Sequence, residues 1–304
     1  MRQRPLIIAS IAALLISMPA YGHDSPAHVI EALSERIECQ GATARLLISR
    51  AYEHQSLGNW DAGAADFSAA LELEPRSHSA IIGCAEAFLQ LDTLPQAESM
   101  AQRGLALDED PSVKSPFYAL LARVFARQHN WLDALNAWRG ALRSPQPEID
   151  WFLGEEECLS RLGRHLDRVE ALAQAMNRNP SVVLYRAWIR ALVNAGEVET
   201  ASLEIERGMA QSRWQSSWLL LRAQVHGQNQ RFFEQQADAA TALTEIQSRL
   251  NLERPDPYLV LEAARSLTLM GEREQALDYL EIARNLGVSE SDLNTLIRMT
   301  ETVK

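Results

Sequence analysis

Cysteine is scarce: Cys39, Cys84 and Cys158 are the three in 304 residues, too few for a disulfide scaffold and nowhere in the Cys-x-x-Cys spacing of a structural metal site. Positive charge is also short, with 29 Lys and Arg against 40 Asp and Glu and a net charge of −11. Bulk electrostatics therefore speak against nucleic acid or anionic lipid as a partner. There is no Gly-x-Ser-x-Gly, no phosphate-cradling glycine loop and no Gly-x-Gly-x-x-Gly, so the usual nucleophile and nucleotide signatures are missing. The seven histidines are scattered, and none forms a His-Glu-x-x-His pair on one helical face. No catalytic residue, cofactor or metal ligand is expected, and the chain reads as a non-enzyme. The one dense acidic run, Glu155-Glu156-Glu157, points in three directions on a helix and is read as a solvated or stacking feature rather than an acid–base pair.

What is present begins with an address. Arg2 and Arg4 precede the uncharged run Leu6 to Met18, then Pro19 and the small-residue ending Ala20-Tyr21-Gly22, the order of a secretory signal. As a helix this run reaches ~20 Å against a hydrocarbon core of ~30 Å. Cleavage after Gly22 and release into an exported compartment, a bacterial periplasm, are expected, with no stable membrane insertion afterwards; a retained anchor is the alternative. The odd cysteine count then leaves at least one thiol unpaired in a monomer, and Cys84 is read either as a buried thiol or as the partner of Cys39.

The rest of the chain repeats. Leu57-Gly58-Asn59-Trp60 is followed by Ala70 to Pro75, and Leu162-Gly163-Arg164-His165 by Ala175 to Pro180 in the same order. From these anchors, repeats start near 44, 78, 115, 149, 182, 216 and 257 within residues 44–288. Small residues recur at the eighth position (Ala51, Ala85, Ala122, Ala223, Ala264), with Glu156 and Ile189 departing. Turns follow at Gly58, Asp92, His129, Gly163, Gly196, Gln230 and Gly271, three of which lack the glycine that a helical hairpin favours. Apolar residues recur at three and four, as in Leu120, Leu121, Val124 and Phe125, so helices and no strands are expected. Residues 23–43 carry an N-terminal capping helix opened by Ser25-Pro26, and residues 289–304 a C-terminal one. The stretch 253–257 breaks the rhythm before the last repeat and is a candidate bend.

In this recurring order of features the chain resembles the tetratricopeptide repeat family, with longer HEAT-like pairs as the alternative. The resemblance implies an all-α fold: an α-solenoid, a right-handed superhelix of about seven helix-turn-helix repeats. It also implies a concave groove lined by the first helix of each pair. Carried over position by position, the groove residues are Arg45, Ile48, Tyr52, Ile82, Glu86, Leu89, Arg123, Arg127, Arg161, Arg186, Arg190, Gln224 and Arg265.

Arginine is concentrated there in an otherwise acidic chain, and its guanidinium fork suits carboxylates. One expectation is a groove that holds an acidic or C-terminal peptide segment, anchored by Ile48, Tyr52, Ile82 and Leu89. The other is that these arginines pair with Glu155, Glu157 and their neighbours to join repeats. The function implied is an exported scaffold or adaptor for a protein or peptide partner, the alternatives being an accessory factor for a neighbouring exported enzyme or, further off, an enzyme itself.

Overall fold

The computed structural model describes residues 25–107, 110–251, 253–288 and 290–302. The signal-like segment 1–22 lies outside them. Among the described residues there are sixteen α-helices and no strand. In chain order they are α1 (Pro26–Gln40), α2 (Ala44–Ser56), α3 (Trp60–Leu73), α4 (His78–Gln90), α5 (Leu94–Leu105) and α6 (Pro111–Arg127). There follow α7 (Trp131–Ala141), α8 (Ile149–Arg161), α9 (His165–Arg178), α10 (Val182–Ala195) and α11 (Val198–Gln211). The last are α12 (Ser216–Gln228), α13 (Phe232–Arg249), α14 (Pro257–Met270), α15 (Arg273–Asn285) and α16 (Glu290–Thr302). The chain divides into two compact units, Met1–Val124 and Phe125–Lys304. It does not divide at 253–257, across which Ala242 and Ile246 of α13 share a core cluster with Leu259 and Ala263 of α14.

Local chemistry sets the helix ends. Thr43, Ser77, Ser181 and Asp256 cap α2, α4, α10 and α14 by accepting backbone N–H bonds, which satisfies donors the first turn leaves open. All seven hairpin turns close alike, on a residue of positive φ. At the first turn the N–H of Gly58 reaches Gln55 O and that of Asn59 reaches His54 O, the paired bonds of a left-handed helix stop. Asp92, His129 and Gln230 make the same turn at φ of 56°, 58° and 58°. Absence of glycine there does not move the turn; it costs backbone strain of about 1–2 kcal/mol for an ordinary L-residue.

One helix start is displaced: α6 opens at Pro111, a turn before the boundary expected near Ser115, because Asp110 caps it through Ser112 N at 2.8 Å. Pro116 then lies inside the helix.

Hairpins pack through small residues. Ala51, Ala85, Ala122, Ala223 and Ala264 are fully buried. Between successive hairpins an aromatic ring rests on a glycine. A Cβ on Gly83 would fall 2.2 Å from Phe67, one on Gly104 2.2 Å from Phe117, one on Gly154 2.2 Å from Trp138 and one on Gly208 2.4 Å from Trp218. Each contact removes a large apolar face from water, worth about 1.5–3 kcal/mol per fully buried side chain. At the fourth hairpin the small pair is replaced by charge. Glu156 of α8 accepts both Nε (2.6 Å) and Nη2 of Arg168 of α9, and Arg168 is 4% exposed.

Candidate partner-binding face

The first helices of the hairpins carry the residues expected to meet a partner. In the first unit they lie on α2, α4 and α6. Arg45 is exposed, Ile48 and Ile82 are half-buried, and Tyr52 sets its ring edge-on to Phe67 at 5.1 Å while its hydroxyl donates to Ser79 O. Leu89 offers no anchor: it is buried with Ala97 and Val124, since helical spacing turns it into the core between α4, α5 and α6. Arg123, from the third hairpin, pairs with Glu86 of the second at 3.3 Å. This unit also has a largely apolar cavity of about 480 Å³ among α3, α4 and α5, bordered by Leu71, Phe88 and Met100. Cys84 lies at its edge as a free thiol, 3.7 Å from Ser68 Oγ, and burial pushes its pKa up. Cys39 is exposed and also free.

In the second unit, Arg127 is exposed at the end of α6. Arg161 sits 5.2 Å over the Trp131 ring and 3.4 Å from Glu157. Glu155 takes Arg139 at 2.8 Å, so with Arg168 on Glu156 each member of the acidic run faces a different guanidinium.

Arg186, Arg190, Gln224 and Arg265 come together. They line one narrow cleft formed by α10, α12 and α14, with Ser217, Leu220, Leu221, Tyr258 and Glu262. Arg186 and Arg190 are one helical turn apart, which puts both on the same face of α10. Arg186 Nη1 donates to the Tyr258 hydroxyl at 3.2 Å, and its guanidinium lies 5.3 Å from the centre of the Trp218 ring. Tyr258 in turn donates to Glu262 Oε1 at 2.8 Å, and Ser216 Oγ meets Glu262 Oε2 at 3.4 Å. Burial first, then the charge of Glu262, raise the Tyr258 pKa and keep its proton in place.

The arginines are less well served. Nε of Arg186 and Nε of Arg190 are closed off from solvent and meet no hydrogen-bond partner among the described residues. The guanidinium of Arg190 is pushed down to about 10, first by burial and next by the like charge of Arg265; Glu156 opposes this and Arg168 adds to it. Burial beside two like charges is what lowers it, and the Glu156 carboxylate offsets them only in part. Ser217 and Glu262 were not among the residues expected to line the face, although Glu262 stands one helical turn beyond Tyr258 and could have been read from that spacing.

Among the described residues, no group of three or more His, Cys, Asp or Glu is placed to hold a metal ion, and no helix is long and apolar enough to cross a membrane.

No protein-family model matches the chain. Solved structures do. A tetratricopeptide repeat protein from Parabacteroides merdae superposes with a TM-score of 0.54 at 12% identity, covering 91% of this chain and 93% of that one. The C-terminal part of a TPR repeat-containing protein from Cytophaga hutchinsonii gives 0.51 at 12% identity, over 84% of this chain and 94% of that one. The fold is a tetratricopeptide-type α-solenoid. By sequence, the chain is 34% identical over 140 residues to a protein described as a Protein SGT1 homolog from Oryza sativa subsp. japonica. That match takes in 46% of this chain and spans 37% of the length of the rice protein.

Proposed function

We propose that this chain is an exported, non-catalytic scaffold or adaptor that holds a protein or peptide partner along the first helices of its hairpins. An acidic segment of the partner is taken by Arg186, Arg190 and Arg265. One observation carries this reading: three guanidiniums border a single cleft in which the one carboxylate of the lining, Glu262, is already bonded to Tyr258 and Ser216. The other groove arginines have carboxylates of their own where the contact is resolved, as Arg123 has Glu86 and Arg161 has Glu157. The first pair joins α6 to α4 and the second lies within α8, each a surface pair worth about 0–1 kcal/mol.

The test compares a fluorescent acidic peptide with its Gln-substituted counterpart on the wild type and on Arg190→Ala/Arg265→Ala. Preference for the acidic peptide, lost at least tenfold in the variant at unchanged melting temperature, is the expected result. Equal binding of both peptides, or a lowered melting temperature with binding retained, overturns the reading. Export is tested by sequencing the amino terminus of the protein recovered from the exported fraction: a start at His23 is expected, and an intact Met1 overturns cleavage.

A further inference from the structure

We propose that the cavity among α3, α4 and α5 is a binding site for a straight-chain fatty carboxylate of medium length. It lies apart from the partner-binding face, with which it shares no lining residue, so this inference does not rest on the preceding section. Its volume of about 480 Å³ falls in the ~300–1,000 Å³ range of small-molecule sites, which are apolar with a few placed polar groups. Leu71 of α3, Cys84 and Phe88 of α4, and Pro95 and Met100 of α5 supply the apolar lining. Gln96, Met100 and Arg103 follow one another at helical spacing, so one face of α5 runs along the cavity. From Pro95 to Arg103 that helix rises ~12 Å, the length of a medium alkyl chain, with the guanidinium at its far end.

Two opposite charges flank the cavity, Glu72 and Arg103. Arg103 is the one that acts inward. Burial pushes the Cys84 thiol pKa up, while the Ser68 bond and then the Arg103 charge pull it back down. Glu72, exposed at the end of α3, exerts no such influence there. Arg103 is half-buried and gives Nη2 to Pro75 O at 2.6 Å, and no carboxylate among the described residues pairs with it. A guanidinium has five N–H donors, so donors remain for a ligand carboxylate. An apolar side chain of a partner would fill the cavity and leave that charge unused; a carboxylate with an alkyl tail uses both.

The experiment is calorimetric titration of the full chain with hexanoate, octanoate and decanoate below their micelle concentrations, and with decanol and decylammonium as neutral and cationic analogues. Affinity is expected to rise about two- to fourfold per added methylene as apolar surface is covered, and decanoate is expected to bind at least tenfold more tightly than either analogue. Met100→Trp fills the cavity and should abolish binding with helicity unchanged by circular dichroism; if it unfolds, Ser99→Trp, from an exposed position on the same wall, decides. Arg103→Gln should bring decanoate down to the affinity of decanol and leave decanol unchanged, which a merely structural role for Arg103 would not do. No carboxylate binding, no gain with chain length, decanol or decylammonium equal to decanoate, or full affinity in the filled and Arg103→Gln variants overturns the proposal. Acidic-peptide binding decides the preceding section separately, so either reading can fail while the other stands.

Discussion

Arginine on the first helix of a hairpin behaves differently in the two units. In the first, Arg123 has Glu86 at 3.3 Å, contributed by the equivalent position of the preceding hairpin. In the second, Arg265 has at that equivalent place the neutral Gln224, and its charge falls on Arg190 instead. A guanidinium is thus free for a ligand or consumed by the scaffold according to one residue a hairpin away. The same contrast runs through the packing. Ala85 of the first unit is fully buried at a position where the second unit keeps buried Ala223 and Ala264 but, on α8, has Glu156 paired with Arg168.

The largest expected effect comes from breaking that pair. Glu156→Ala strands Arg168 at 4% exposure and is expected to cost about 3–5 kcal/mol in urea unfolding, while Glu156→Ala/Arg168→Ala recovers most of it, because an uncompensated buried charge costs more than the pair contributes. A double variant as unstable as the single would show the loss to be one of packing.

Next come the glycines under aromatic rings. Gly83→Ala in the first unit and Gly154→Ala in the second should each lose about 1–3 kcal/mol by overpacking. Gly83→Ala should lose more, since Phe67 is fully buried and Trp138 is 7% exposed and has room to yield. Thermal melts that leave either variant at wild-type stability would contradict the contact.

Gln224→Glu makes the second unit resemble the first. It supplies the carboxylate that Glu86 supplies to Arg123, and anion binding is expected to fall at least tenfold, about 1.4 kcal/mol, with stability held or raised. Glu86→Gln is the converse, releasing Arg123 and raising acidic-peptide affinity at the first unit. Unchanged affinity in both variants would dissolve the comparison.

The smallest effect belongs to the turns. Gln230→Gly should stabilise by about 1 kcal/mol by relieving left-handed strain. Asp92→Gly should gain less, because a short polar side chain tolerates that region better. Melting temperatures that rank them the other way would place the strain elsewhere.

Much of the local architecture could be read from the chain. The turn residues Gly58, Gly163, Gly196 and Gly271 announce themselves, and Asp92, His129 and Gln230 fall in register with them and take the same positive φ. Ala51, Ala85, Ala122, Ala223 and Ala264 were visible as a small-residue series, and all are buried. The partner face was less legible. Arg186, Arg190, Gln224 and Arg265 could be named by position, yet nothing in their spacing distinguished them from Arg123 or Arg161, which have carboxylates at hand. Leu89 looked like an anchor and is buried, because a residue shared by two apolar stripes goes to whichever neighbour closes over it.

Helix, turn and repeat length are determined by the sequence itself, since caps, small positions and left-handed stops act within a few residues and recur at one period. Which arginines keep their charge available, which glycines lie beneath a ring and which glutamate replaces a small contact were decided by tertiary structure. Those outcomes depend on pairs separated by one or two hairpins, and the energy of a charge or a methyl group there is set by what stands opposite it.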